Sequence, residues 1–414
     1  MTGLKGRGGM ETHIFICGAK SVGQYGGYET FVDKLTQYHQ DRKDFHYHIL
    51  CKANGAGCMD ESRLPGAEKI GESEFLYHNA RCVKLRVPNI GPAAAIYYDL
   101  AALRYCLRYC REHGIQRPVF YLLACRVGPF MGFVKKRVHA LGGVLYDNPD
   151  GHEWMRAKWP LPVRKYWKLS ERLTVKHADL LICDSRFIES YILKTYAAYR
   201  PQTTYAAYGA EAGPSPLSDT APRFVDWLSR WDVRPFDYYL VVGRLVPENN
   251  YETILREFMA SDTHRALILI TDRNGKMLRR LEETLHYSTD GRVRFAGPVY
   301  DEALLYKIRE NACAYIHGHE VGGTNPSLLE GMAATKLNLL YDVAFNREVG
   351  RDAALYWRKD AGSLRALIQR AEDMPDAERE ALGRKAKARM EEAYRWQMVA
   401  DRYAELWRAA ADAR

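Results

Sequence analysis

The chain has 414 residues, 47% of them hydrophobic and 27% charged, with a formal net charge of +9. That length suits two domains of roughly 200 residues each, and the composition excludes a fibrous or largely disordered protein. No apolar run approaches the roughly 20 residues that cross a bilayer, and the stretch His13 to Gly18 is too short for a signal peptide, so a cytoplasmic protein is expected.

Met1 to Thr12 are rich in Gly and Lys/Arg and are expected to fray. Beyond them, β-like runs fall at His13–Gly18, Phe45–Lys52, Cys82–Pro88, Val119–Cys125, Gly143–Asp147, Ala178–Asp184 and Thr203–Gly209. Amphipathic stretches such as Thr30–Gln40, Ala94–His113 and Val163–His177 separate them. A Gly/Pro/Ser/Ala-rich loop runs from Gly209 to Pro222, and the pattern restarts at Tyr238–Arg244, Ala266–Thr271, Val293–Val299, Cys313–Gly318 and Leu337–Asp342. Such alternation predicts an α/β fold of parallel sheets with helices on both faces.

Two Rossmann-like doubly wound domains follow, over 1–215 and 216–395, with the break between residues 212 and 236. The Ala/Glu/Arg-rich tail predicts a last helix, 396–414, that crosses back to the first domain. Tandem domains of this kind leave a cleft at the carboxyl ends of both sheets, where their ligands bind. Of nine cysteines, Cys17, Cys125, Cys183 and Cys313 lie in β-like runs and read as small buried hydrophobes. Neither Cys106 with Cys110 nor Cys51 with Cys58 is joined by a second pair at zinc spacing, so no metal site is expected.

Four motifs carry chemistry. Gly18 to Thr30 places Gly18, Gly23, Gly26 and Gly27 between a strand and a helix, where backbone approaches a ligand closely and a helix N-terminus attracts phosphate. It is neither a dinucleotide fingerprint nor a Walker loop, and an ordinary tight turn would look similar. Next, Val242-Gly-Arg-Leu-Val-Pro-Glu-Asn-Asn250 sets Arg244 at a strand's carboxyl end, suited to a departing diphosphate.

The third motif, Gly318 to Ala333, has a Gly-rich turn before a helix, with Asn325, Pro326 and Ser327 as cap and first turn. Its free N–H groups would meet phosphate, and Glu330 one turn further in can accept from ribose hydroxyls. The fourth, Tyr146 to Trp159, crowds carboxylates, a His, cations and indoles. Asp150 or Glu153 can take a proton from an attacking hydroxyl, and the aromatics can pack on a sugar face. A cap with an aromatic mini-core is the competing reading. Arg104, Arg108 and Arg111, with the run Lys135-Lys-Arg137, fit an anionic membrane surface as well as they fit a solvated helix face.

In combination, Tyr25-Gly-Gly-Tyr-Glu-Thr-Phe-Val32, Asn148-Pro-Asp-Gly-His-Glu-Trp154, the Val242–Asn250 block and Val321-Gly-Gly-Thr-Asn-Pro-Ser-Leu-Leu-Glu330 resemble family 4 retaining glycosyltransferases of the GT-B fold. Ala178-Asp-Leu-Leu-Ile-Cys-Asp-Ser185 fits the same pattern. The nearest resemblance is to bacterial rhamnosyltransferases of capsular and group-carbohydrate synthesis, including those that add β-1,4-linked L-rhamnose.

The resemblance implies an acceptor-side first domain, a nucleotide-sugar-binding second domain, and transfer of L-rhamnose from dTDP-β-L-rhamnose. The implied acceptor is a lipid-diphosphate-linked GlcNAc, with no metal and no nucleic acid involved, on the cytoplasmic face of the membrane. Gly26, Gly27, Arg244, Asn249, Gly323, Thr324, Asn325, Pro326, Ser327 and Glu330 would bind the donor, Glu330 through its ribose. Tyr28, Glu29, His152, Trp154, Arg156 and Lys158 would face the acceptor, and Asp150, Glu153 and Arg244 would serve the chemistry. Two positions depart from the family. Gly322 stands where a Glu is usual, eight before the ribose Glu, and Asn249 where a Lys often pairs with the Arg. Glu320 is near enough in sequence to replace the missing acid. The alternatives are a UDP-sugar donor, a sugar-nucleotide epimerase, and a non-catalytic nucleotide-binding scaffold.

Overall fold

The computed structural model describes residues 11–24, 26–156, 158–272 and 274–412. The segment expected to fray, apart from Glu11 and Thr12, lies outside these residues, as do Tyr25 of the first Gly-rich turn and Ala157 of the fourth motif. The chain divides into two compact units. The first runs to Trp154, resumes over Leu161–Ala207 and includes the helix Trp396–Asp412. The second comprises Met155–Pro160 and Tyr208–Arg395.

The first unit is built on nine strands: β1 (Thr12–Cys17), β2 (Phe45–Lys52), β3 (Glu68–Lys69), β4 (Glu74–Tyr77), β5 (Ala80–Leu85), β6 (Val119–Leu123), β7 (Val144–Asn148), β8 (Leu180–Cys183) and β9 (Thr203–Tyr205). Their order is β3-β4-β5-β2-β1-β6-β7-β8-β9. From β5 to β9 every pairing is parallel, but β3, β4 and β5 pair antiparallel. This edge is absent from the sequence reading. Its hairpin turns at His78 and Asn79, both with positive φ (47° and 57°), the two-residue geometry that matches strand twist. His-Asn is a weak signal for that turn, and β3 is two exposed charged residues.

Central strands covered on both faces need apolar side chains throughout, and β6, Val119–Leu123, is buried at every position. On one face Phe15 and Cys17 pack with Ala102, Leu103, Cys106 and Cys110 of the helix Ala93–Glu112. On the other face lies the last helix: Tyr121 and Tyr403 share a hydroxyl hydrogen bond of 2.9 Å, and Trp407 Nε1 donates to the Tyr47 hydroxyl at 2.8 Å. His39 bonds that same hydroxyl at 2.7 Å and the Ala400 carbonyl at 3.0 Å. Two buried aromatics and a shared polar chain therefore fix this helix to the sheet.

The second unit has six parallel strands: β10 (Tyr238–Val242), β11 (Ala266–Ile270), β12 (Val293–Phe295), β13 (Ala314–His317), β14 (Asn338–Tyr341) and β15 (Leu355–Trp357), ordered β12-β11-β10-β13-β14-β15. The sequence reading lacked β15, three residues whose Trp357 is fully buried. This is the doubly wound order, and winding reverses between β10 and β13. In the first unit it reverses between β1 and β6. Such switch points are where the carboxyl ends of parallel strands hold ligands. Among the described residues no helix is long and apolar enough to cross a membrane.

Candidate active site

In the second unit, both motifs leave the two strands that flank the switch point. Arg244 follows β10 and is exposed, while its backbone is fixed from within. Asn249 Nδ2 donates to the Arg244 carbonyl at 2.8 Å, and Leu245 N donates to Asp272 Oδ1 at 2.6 Å. Asn249 is buried, so its amide shapes the Arg244 turn where a family Lys would carry charge.

The loop after β13 folds tightly against this turn. A Cβ on Gly318 would lie 2.2 Å from the Asn249 carbonyl oxygen, so only glycine permits the approach. Asn250 Nδ2 closes the contact, donating to the Gly318 carbonyl at 2.8 Å and to Glu320 Oε2 at 3.1 Å. Glu320 also pairs with Lys359. Glu320, the acid nearest in sequence to the family Glu, is therefore already engaged by Asn250 and Lys359. Gly322 has φ +139°, a region that L side chains rarely adopt, so a Glu at this position would be strained.

The helix Pro326–Ala334 starts at Asn325, whose Oδ1 accepts from Ser327 N (2.9 Å) and Leu328 N (3.4 Å). This corrects one expectation: those two N–H groups are capped by the protein, and Pro326 has none. The Ser327 hydroxyl donates to the Val242 carbonyl at 3.1 Å, tying this helix start to the end of β10. Glu330, one turn on, pairs with Arg309 at 2.6 Å. Gly323 and Thr324 are buried in the preceding turn.

Two residues unremarked in the sequence stand here. His319 Nε2 accepts from the Asn325 amide at 3.0 Å, which leaves its proton on Nδ1. Burial first, then the charges of His317, Arg156 and Arg244, hold its pKa well below the ordinary value. Glu248 is buried, its carboxylate 3.6 Å from Arg156 Nη1. Arg156 belongs to the short segment Met155–Pro160, and Lys158 in that segment stacks over Trp159 at 4.8 Å.

The first unit gathers a separate set at its own switch point. Arg126, just past β6, donates to the Gly18 carbonyl at 3.0 Å and to Asp99 at 3.2 Å. Burial opposes its charge, but Asp99, Tyr28 and Asp150 raise its pKa above the usual value. Tyr28 lies under that guanidinium, 5.9 Å from its ring centre. Glu29 accepts from Lys20 N at 3.0 Å and so braces the turn that carries Gly26 and Gly27. The only hint of Arg126 in the sequence is a cation straight after an apolar strand.

The fourth motif is divided. Asp150 and His152 both have positive φ (56° and 50°), and Asp150 N donates to Asn148 Oδ1 at 2.9 Å. His152 packs edge-on to Tyr191 at 4.2 Å and to Trp154 at 5.9 Å, while Trp154 Nε1 donates to Glu171 at 3.1 Å. Burial lowers the His152 pKa. His152 and Trp154 thus join an aromatic cluster of the first unit, whereas Arg156 and Lys158 belong with the second. Glu153 is half-buried between them in sequence.

Residues 234–389 match the family model described as glycosyl transferases group 1. Residues 11–211 match a domain of unknown function, DUF1972. No curated protein matches the chain. Among solved structures, it is similar to sucrose-phosphate synthase from Thermosynechococcus elongatus, at 15% identity and TM-score 0.74 over 96% of this chain and 98% of that one. It also resembles a glycosyltransferase from Rickettsia africae (10%, TM-score 0.69, 98% and 100% covered). A third is the Anabaena protein HepE in complex with UDP (12%, TM-score 0.66, 96% and 100% covered). These likenesses show the two-domain α/β architecture of GT-B glycosyltransferases. More narrowly, residues 234–389 are a domain of the glycosyl transferases group 1 family.

Proposed function

We propose that the chain transfers L-rhamnose from dTDP-β-L-rhamnose, with retention, to a lipid-diphosphate-linked GlcNAc in the synthesis of a bacterial cell-surface polysaccharide. The observation that carries this reading is the tie between Ser327 and the Val242 carbonyl, which holds the Arg244 turn and the Glu330 helix at one switch point. In this reading Glu330 accepts from the nucleotide's sugar hydroxyls, and Arg244 with the turn at Gly323 and Thr324 meets the diphosphate.

The C1–O bond to the diphosphate breaks as the acceptor hydroxyl forms a new bond to C1, and the hydroxyl proton passes to the departing phosphate oxygen. Arg244 stabilises the charge that develops there, without a metal ion. Asp150, held in its turn by Asn148, orients the acceptor, with Glu153 as the second carboxylate of that loop. The lipid acceptor is reached from a membrane surface. Exposed Phe130 and Phe133 stand on the helix that also bears exposed Lys136 and Arg137, the mixture that suits anionic lipid.

A UDP-sugar donor is the second reading, favoured by the similarity to HepE, which was solved with UDP. The departures at Gly322 and Asn249 favour a third, a scaffold that binds nucleotide without turnover. One experiment separates all three: dTDP-, UDP- and GDP-sugars offered with a synthetic GlcNAc-diphosphate-lipid, products read by mass spectrometry. A deoxyhexose added from the dTDP donor alone is expected. Transfer from a UDP-sugar alone, or binding with no product from any donor, overturns the proposal.

A further inference from the structure

Arg309 lies on the helix Glu302–Glu310, among its buried positions Leu305 and Ile308. Its side chain is 4% exposed, yet it reaches Glu330 Oε2 at 2.6 Å and Ser327 Oγ at 3.3 Å. Ser327 is in turn held by the Tyr315 hydroxyl at 2.9 Å, so the guanidinium sits in a fixed frame. Glu330 is 37% exposed, with Oε1 unengaged among the described residues. One oxygen of this carboxylate is satisfied by the protein; the other is open.

A ribonucleoside presents two vicinal hydroxyls, and a 2′-deoxyribonucleoside only the 3′-hydroxyl. Where both carboxylate oxygens depend on the ligand, loss of one hydroxyl leaves a desolvated oxygen without a partner, and the deoxy ligand is rejected. Arg309 removes that dependence. We infer that Arg309 is a positioning residue that makes the nucleotide site indifferent to the 2′-hydroxyl, so that it takes 2′-deoxyribonucleoside diphosphates as readily as ribonucleoside ones. This rests on Glu330 as the sugar-binding acid of the proposed function. It gives a physical basis for a dTDP-linked donor.

UDP and dUDP differ only in that hydroxyl, and calorimetric titration of the full chain with each tests the inference. The two dissociation constants are expected to agree within about threefold. Glu330→Ala should weaken both to the same extent, and Arg309→Gln should weaken dUDP about tenfold more than UDP, with Arg309→Lys restoring parity. A wild-type preference for UDP of about tenfold or more overturns the inference, as does a Glu330→Ala loss confined to UDP, or an unchanged ratio in a folded Arg309→Gln. If Arg309→Gln does not fold, the wild-type and Glu330→Ala ratios decide. The proposed function fails separately if the wild type binds neither nucleotide, or if Glu330→Ala alters neither affinity.

Discussion

Tyr251 donates its hydroxyl to the Gly243 carbonyl at 2.8 Å, so the first residue of one helix fastens the backbone just before Arg244. With Asn249 on the Arg244 carbonyl, the main chain is held on both sides of an exposed guanidinium. Arg244→Ala should therefore lower kcat by about 10²–10³-fold, the loss expected on removing one charge-stabilising group. Stability should change by no more than about 0.5 kcal/mol, as for a surface change. Initial rates and a urea titration measure both, and near-normal turnover would dismiss the role of Arg244.

Asn325 caps its helix with two backbone bonds. Asn325→Ala should cost about 1 kcal/mol of stability by removing that cap. Equal urea midpoints for the Ala variant and the wild type would show that another group satisfies those N–H groups.

The reaction as proposed draws its charge stabilisation from Arg244 and backbone N–H groups. EDTA should leave the transfer rate unchanged. A loss of activity that added manganese restores would transfer that role to a metal ion.

Trp407 is fully buried and hydrogen-bonded to Tyr47. Trp407→Ala should destabilise the protein by about 3–5 kcal/mol, through lost contact and the cavity left behind. A circular-dichroism melt within experimental error of the wild type would show that the last helix adds no stability.

Burial lowers the His39 pKa to about 4, from an ordinary 6.5, against the opposing Ala400 hydrogen bond. As pH falls from 6.5 towards 4 the unfolded chain takes up a proton that the folded chain refuses, so stability declines across that window and is complete above it. His39→Gln should flatten the decline by up to about 1 kcal/mol per pH unit. His48 and His317, lowered to about 3 by burial, leave a residual slope. Identical slopes in urea titrations between pH 7 and 5 would remove His39 from the account.

The alternation of apolar runs made the parallel strands legible, because strands such as Val119–Leu123 are buried on both faces and carry no polar interruption. The β4–β5 hairpin was not, since His78-Asn79 adopts its turn without the glycine that advertises one. At the site, Asn325 as a cap follows from local chemistry alone. Arg309, Arg126 and Asp99 escaped because each acts across a long sequence separation: Arg126 meets Gly18 over 108 residues. For Arg126 and Asp99 the one local trace is a charge between apolar neighbours, a pattern that also describes many exposed residues, and Arg309, followed by Glu310, lacks even that. The division of the fourth motif was equally hidden, since adjacent residues carry no mark of which unit they join.

The return of residues 396–412 to the first unit sets the order in which synthesis can complete the protein. A nascent chain that has passed Ala207 still lacks Tyr403 and Trp407, so Tyr121 and Tyr47 on that sheet face remain wet. The unit begun first is therefore finished last, after residues 208–395 have all been made. A fragment ending near Ala207 should precipitate or recruit chaperones, and supplying the missing helix as a separate peptide should rescue it.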